Sequence, residues 1–433
     1  MQKLIHLLLI LSLSNNMLFC QKKTLKEKAW EEFRNEHYDE AIQLLEQAVI
    51  QTPHDPEIYY YLGWFNHYRA YDSRPLQGYD YSYSERIFHY LDKAIELNPN
   101  YGDAKYFYGA ECSGNAFLAM QNYDVEKVTY FFKRAYKKGA YPDWLIEFGK
   151  NFLMSCDKDA ILLTGGNADF DICSYLQLCE NYRTDITVIP IGNIDRPWYV
   201  GLLKNGLNNG IRSIHINLTP QQIIDIHPFK WKGTEISIPI SPTDRARYDL
   251  KEDFSMLWTV HPDLQSERMH AKTEDEAAQK RTYLSPQRAI LLQIIEDNFS
   301  RRPIYFSAFA EPSFFGELDH FFQNCGLISR LTPIKTTGTP HNFDQKKIQQ
   351  LLTPKNLEKY HDIQKNNIPR ISRMIMYGYA NATLNLSDLY KEEKNVQGIK
   401  NLIKLYTDYL KIDFDTEYEI SVIEELKRQL EVI

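Results

Sequence analysis

Residues 159–206, DAILLTGGNADFDICSYLQLCENYRTDITVIPIGNIDRPWYVGLLKNG, constrain the fold more than any other stretch. A short apolar run, 160–164, meets two glycines and a polar turn. A helix-like segment follows, with Ile172, Tyr175, Leu176 and Cys179 on one face. A second apolar run, 186–191, again ends at a glycine and a polar turn before another helical segment. Continuous apolar runs alternating with helical periodicity mark parallel strands buried on both faces. Such units hold ligands where the carboxyl ends of strands meet helix N-termini. The two turns in that position are 165–171 and 192–198.

The chain has 433 residues, enough for two or three cored domains, and its formal charge of −7 gives no reason to expect nucleic acid, which demands a clustered basic face. At the N-terminus, Met1-Gln2-Lys3 gives a positive start, 4–13 an apolar core and Cys20-Gln21 a cleavage point. Residues 1–20 therefore read as a secretory signal, too short and too interrupted by Ser14-Asn15-Asn16 to span a membrane. Simple cleavage is favoured because bulky Phe19 precedes Cys20, and a lipid anchor at Cys20 is the alternative. No later segment has the apolar length of a span, so an exported protein, periplasmic or bound to the envelope, is expected. The five cysteines beyond Cys20 lack regular spacing and are expected as free, buried thiols.

From Thr24 to about residue 150 the pattern is helical and repeats. Ala29, Tyr38, Ala41, Leu45, Ala48 and Pro53 occupy the small, aromatic and terminating positions of a tetratricopeptide repeat, which they resemble. Leu62-Gly63, Leu91, Ala94 and Pro99 make a second unit, divided by a Tyr- and Asp-rich insertion at 70–84. Gly109, Phe132, Ala135 and Pro142 make a degenerate third, with a lengthened inter-helix segment. Repeats of this kind present a concave surface to a protein or peptide partner. The competing reading is a cap packed on the next domain.

Beyond residue 206, strand-like runs are expected at 213–217, 235–240, after Arg302-Pro303, and at 326–334, with a strong helix beginning at Pro286. Together with the opening unit they define an α/β domain over 159–335, a Rossmann-like parallel or mixed sheet with helices on both faces. A C-terminal helical region, 343–433, contains a pair of tetratricopeptide-like helices, 371–391 and 396–410. The whole is an α plus α/β protein.

Four blocks in order resemble the soluble extracytoplasmic part of a Bacteroidota membrane-protein family related to transmembrane protein O-mannosyltransferases. They are Gly165-Gly166-Asn167-Ala168-Asp169 with Tyr175-Leu176-Gln177; Asn193-Ile194-Asp195 before Trp198-Tyr199; Asn298 with Arg302-Pro303-Ile304-Tyr305-Phe306; and Gly326-Leu327 with Arg330-Leu331 and Pro333-Ile334. The resemblance covers roughly 159–410. It lacks the multi-spanning half that carries glycosyl transfer, and Gly166 and Ala168 stand where that family has an acidic run. The resemblance implies a soluble paralogue of an accessory domain, and transferase activity is not inferred from it.

On physical grounds the candidate ligand-binding residues are Gly165, Gly166, Asn167, Asp169 and Asp171 in the first loop, and Asn193, Asp195 and Trp198 in the second. The glycines permit close backbone approach, while two carboxylates repel phosphate and suit a hydroxyl-rich ligand or a hard cation. Helix capping is the alternative role for Asp169 or Asp171, and packing for Trp198. The twelve histidines include no zinc helix, and there is no nucleophile elbow or phosphate loop, so no catalytic residue, metal or cofactor is assigned. The expected function is non-enzymatic protein binding or assembly in the envelope, linked to glycan or glycoprotein processing. The alternative is a glycosyltransferase-related enzyme acting on a glycan or nucleotide-sugar through these two loops.

Overall fold

The computed structural model describes residues 23–72, 78–166, 168–207, 210–262, 283–339, 342–411 and 417–433. The signal segment with Cys20, and Asn167, lie outside the described residues. The chain forms two compact units that divide between Glu111 and Cys112.

The first unit is helical. It holds α1 (Leu25–Arg34), α2 (Tyr38–Gln51), α3 (Pro56–Asp72), α4 (Ser84–Leu97) and the first half of α5 (Gly102–Gln121). Thr24 starts it with a capping box: its hydroxyl accepts from Glu27 N–H, and Glu27 accepts from Thr24 N–H at 2.7 Å. Small residues let the helices close up, with Ala29, Ala41, Ala48 and Ala94 all buried. At Gly63 an added Cβ would stand 2.9 Å from the Leu91 side chain.

The second unit takes the rest of α5, then α6 (Val125–Lys137) and α7 (Asp143–Met154). The lengthened segment expected between the third pair of helices is absent. Only residues 122–124 separate α5 from α6, because α5 itself runs on for 20 residues. The repeat region expected over 24–150 therefore spans the division between the units. Next come β1 (Ile161–Thr164), α8 (Ala168–Glu180), β2 (Thr187–Pro190), α9 (Pro197–Asn205) and a short α10 (Pro220–Ile224). A side region holds β3 (Phe229–Lys230), β4 (Thr234–Pro239), α11 (Pro242–Arg247), β5 (Ser255–Val260) and β6 (Tyr283–Leu284). The chain returns through α12 (Pro286–Asn298) to β7 (Ile304–Ser307), β8 (Phe322–Asn324) and β9 (Ile328–Leu331). It closes with α13 (Gln345–Leu351), α14 (Pro369–Glu392), α15 (Val396–Leu405) and α16 (Glu417–Val432).

The main sheet is mixed, with order β2-β1-β7-β9-β8. β1 pairs in parallel with β2 and β7, whereas β9 runs antiparallel to both β7 and β8. Every residue of β1, β2 and β7 is buried, as the continuous apolar runs require. Two expected strands differ. The run 235–240 joins β5 in a separate two-stranded hairpin. The run 213–217 forms no strand, because the Asn298 side chain takes its groups: His215 N–H donates to Asn298 Oδ1 at 3.1 Å, and Asn298 Nδ2 donates to His215 O at 2.7 Å.

At the amino ends of the parallel strands, Arg302 acts as a clamp. Its guanidinium donates to Asp159 O (2.6 Å), Ala160 O (2.9 Å), Ser213 O (3.1 Å) and Thr187 Oγ1 (2.9 Å). Arg183 holds Asp185 through two bonds and also donates to Leu153 O and Asp157 O. The C-terminal helices are tied to α7 through Asn151, whose Nδ2 donates to Asn356 O at 2.6 Å and to Tyr379 Oη at 2.8 Å. Among the described residues no helix is long and apolar enough to cross a membrane, and Cys112, Cys156, Cys173, Cys179 and Cys325 form no disulfide.

Candidate functional site

Strand order places β1 between β2 and β7, so a crevice is expected where the loops after β1 and β7 part. Those loops instead meet. An added Cβ at Gly165 would stand 2.8 Å from Phe309 O, so only glycine fits there. The Phe309 ring lies 5.5 Å from the Phe148 ring, and an added Cβ at Gly378 of α14 would stand 2.8 Å from its edge. Backbone and ring together fill the gap. Gly166 has φ +98° with open space beside it, a left-handed conformation natural to glycine.

Both loop aspartates point inward. Asp169 is 1% exposed, and its Oδ2 accepts from Gly165 N–H at 2.9 Å, which closes the turn onto the first turn of α8. Its Oδ1 has no hydrogen-bond partner among the described residues. Burial pushes the Asp169 carboxyl up to about 6, against the pull of the Ser307 hydroxyl and the N–H groups of Gly165, Phe170 and Gly166. Asp171 is 3% exposed and accepts from Ser113 Oγ at 2.5 Å. Burial pushes its carboxyl up to about 8; Ser113 opposes the rise and the Asp169 charge adds to it. A carboxyl raised in this way favours its protonated form at neutral pH.

The second loop is more open. Ile191–Asn193 forms a short 3-10 turn after β2, and Asn193 O accepts from Arg196 N–H at 3.2 Å. Asn193 is half-buried and Asp195 exposed. Trp198, in the first turn of α9, packs its edge on Phe117 with centroids 6.4 Å apart, and Phe117 stacks on Phe170 of α8 at 5.2 Å. The helices that follow the two loops thus meet through one phenylalanine of α5. Ser113, Phe117, Ser307 and Phe309 were not singled out in the sequence. The first two lie in a helix whose pattern reads as repeat packing; Ser307 ends β7, and Phe309 lies in the loop after it, which carries no motif.

Chemically, the arrangement offers buried acids, hydroxyls and aromatic rings. Among the described residues no group of three or more His, Cys, Asp or Glu side chains is placed to hold a metal ion.

No curated protein matches the chain. The family model described as TMEM260-associated domain 2 matches residues 145–278 and 234–351, a stretch that contains all four blocks singled out in the sequence and stops before α14. The middle of this chain is therefore similar to a domain family tied to TMEM260 and, through it, to O-mannosyltransferases.

Proposed function

We propose that the chain is an exported, non-enzymatic protein of the cell envelope. In this reading its N-terminal helices, tetratricopeptide-like repeats, capture a protein or peptide partner, and its Rossmann-like domain is a scaffold with a tie to glycan or glycoprotein processing. The observation that carries the proposal is the burial of Asp169 and Asp171 beneath loops that touch. An enzyme acting on a glycan or nucleotide-sugar needs such acids at a surface that substrate reaches.

The first unit offers a surface suited to a protein or peptide partner. Trp30 of α1 contacts Trp64 of α3 at 5.2 Å, Trp64 contacts Phe107 of α5 at 6.4 Å, and His67 contacts both Phe107 and Tyr71 at 5.0 and 5.2 Å. Tyr68 and Tyr71 are 40% and 49% exposed at one end of this strip. Rigid aromatic side chains supply contact area at low entropic cost, which suits a recognition surface. Capture from envelope extracts tests the reading. The double variant Tyr68→Ser, Tyr71→Ser is expected to lose partners that the parent retains, while Asp169→Asn retains them. An unchanged profile in the tyrosine variant overturns it.

A further inference from the structure

A second surface, in the other unit, carries an inference independent of the aromatic strip. Helix α6 buries Val128, Phe132 and Ala135 and turns the opposite face outward. On that face Tyr130 is 55% exposed. Around it stand Lys127, Lys133 and Lys137, all exposed and without an ion-pair partner among the described residues. None of the nearby acids is paired with them among the described residues, and exposed Glu126 offsets one of the charges. Asp124 caps the helix by accepting from Lys127 N–H at 3.0 Å, Glu180 of α8 lies 3.4 Å from Lys150, and Glu126 stands alone in the first turn. Cations in a last turn complement the helix dipole, which accounts for Arg134 and Lys137. It does not account for Lys127 in the first turn, where a cation is disfavoured.

We infer that this face docks on an anionic lipid surface. A single straight helix presents a convex strip, about 15 Å long between Lys127 and Lys137 at 1.5 Å per residue, and a convex strip suits a plane better than a peptide. Lysines reach headgroups on flexible stems, and a tyrosine among them sits at the depth where amphipathic rings are favoured. The chain as a whole carries −7, but charges farther than a Debye length of about 8 Å are screened, so the local face decides.

The experiment is flotation of the full chain with neutral phosphatidylcholine vesicles and with vesicles containing about a third phosphatidylglycerol. Three lysines less one acid give an expected preference of roughly thirtyfold for the anionic vesicles, falling about fivefold for each lysine changed to glutamine. The preference should also collapse between low and high salt, a reading that needs no variant. No preference in the parent overturns the inference, as does a preference that survives both high salt and the triple change Lys127→Gln, Lys133→Gln, Lys137→Gln. Retention by immobilised polyglutamate without vesicle binding overturns it too, and assigns the face to an acidic polypeptide.

Discussion

The two ends of the parallel strands solve opposite problems. At the amino ends, hydrogen-bonding groups are matched: Arg302 meets four neutral acceptors, and Asp185 takes two bonds from Arg183 and one from Asp159 N–H. At the carboxyl ends, acids are placed where no cation reaches them, and they are held by hydroxyls and backbone alone. Satisfied charge fastens a structure, whereas buried acids without counter-ions make it depend on their protons. The carboxyl end is the usual place for ligands in such sheets, and here it has the character of an interior.

The largest effect should come from breaking the matched end. Arg302→Ala removes four hydrogen bonds and strands the carbonyls of Asp159 and Ser213, while Ala160 O keeps the Thr187 N–H, at an expected cost of about 3–5 kcal/mol in urea unfolding. A loss within experimental error of zero would show that water replaces the clamp.

The next effect separates the two ends by pH. Asp185 is held down to about 2, first by its bonds from Arg183, so its contribution is present above its unfolded value near 3.8 and lost as pH falls toward 2. Asp169 and Asp171 are raised, to about 6 and about 8, so theirs is full below the unfolded value and lost as pH rises through those values. Stability should therefore peak in mildly acidic solution and fall measurably toward pH 9. Asp171→Asn should flatten the alkaline limb, since its amide oxygen still accepts from Ser113. A parent that is equally stable at pH 5 and pH 9 refutes the assignment.

A smaller effect tests the contact between loops. Gly165→Ala forces a methyl against Phe309 O and should cost roughly 1–3 kcal/mol, read as a lowered Tm. Asp195→Asn, at an exposed position, should change stability by less than about 0.5 kcal/mol. Equal effects at the two positions would erase the distinction drawn between the first and second loops.

Much of this was legible in the sequence. The runs 160–164 and 186–191 are strands because nothing but a parallel, doubly covered position accepts such uninterrupted apolar residues. Helix starts at Thr24 and Ser285 follow from side chains that accept the first free N–H groups. Long-range partners were not legible. β8 has only three residues and no alternation long enough to read. Nothing local distinguishes the 235–240 run from a strand of the main sheet, since its partner β5 lies in a stretch that reads as charged and irregular. Asp169 and Asp171 have the appearance of surface acids, and only the arrival of α5 and the loop after β7 makes them internal. Ser113 comes from 58 residues away, a distance no local pattern spans.

One amide, Asn298, has a consequence for solubility. By bonding both the N–H and the C=O of His215 it satisfies a run that holds Ile214 and Ile216 buried, without giving that run an outward hydrogen-bonding edge of its own. Open edges recruit neighbouring chains. Removing this side chain would free an apolar extended segment beside the sheet, and the damage would show first as self-association at high concentration, before any loss of the folded state.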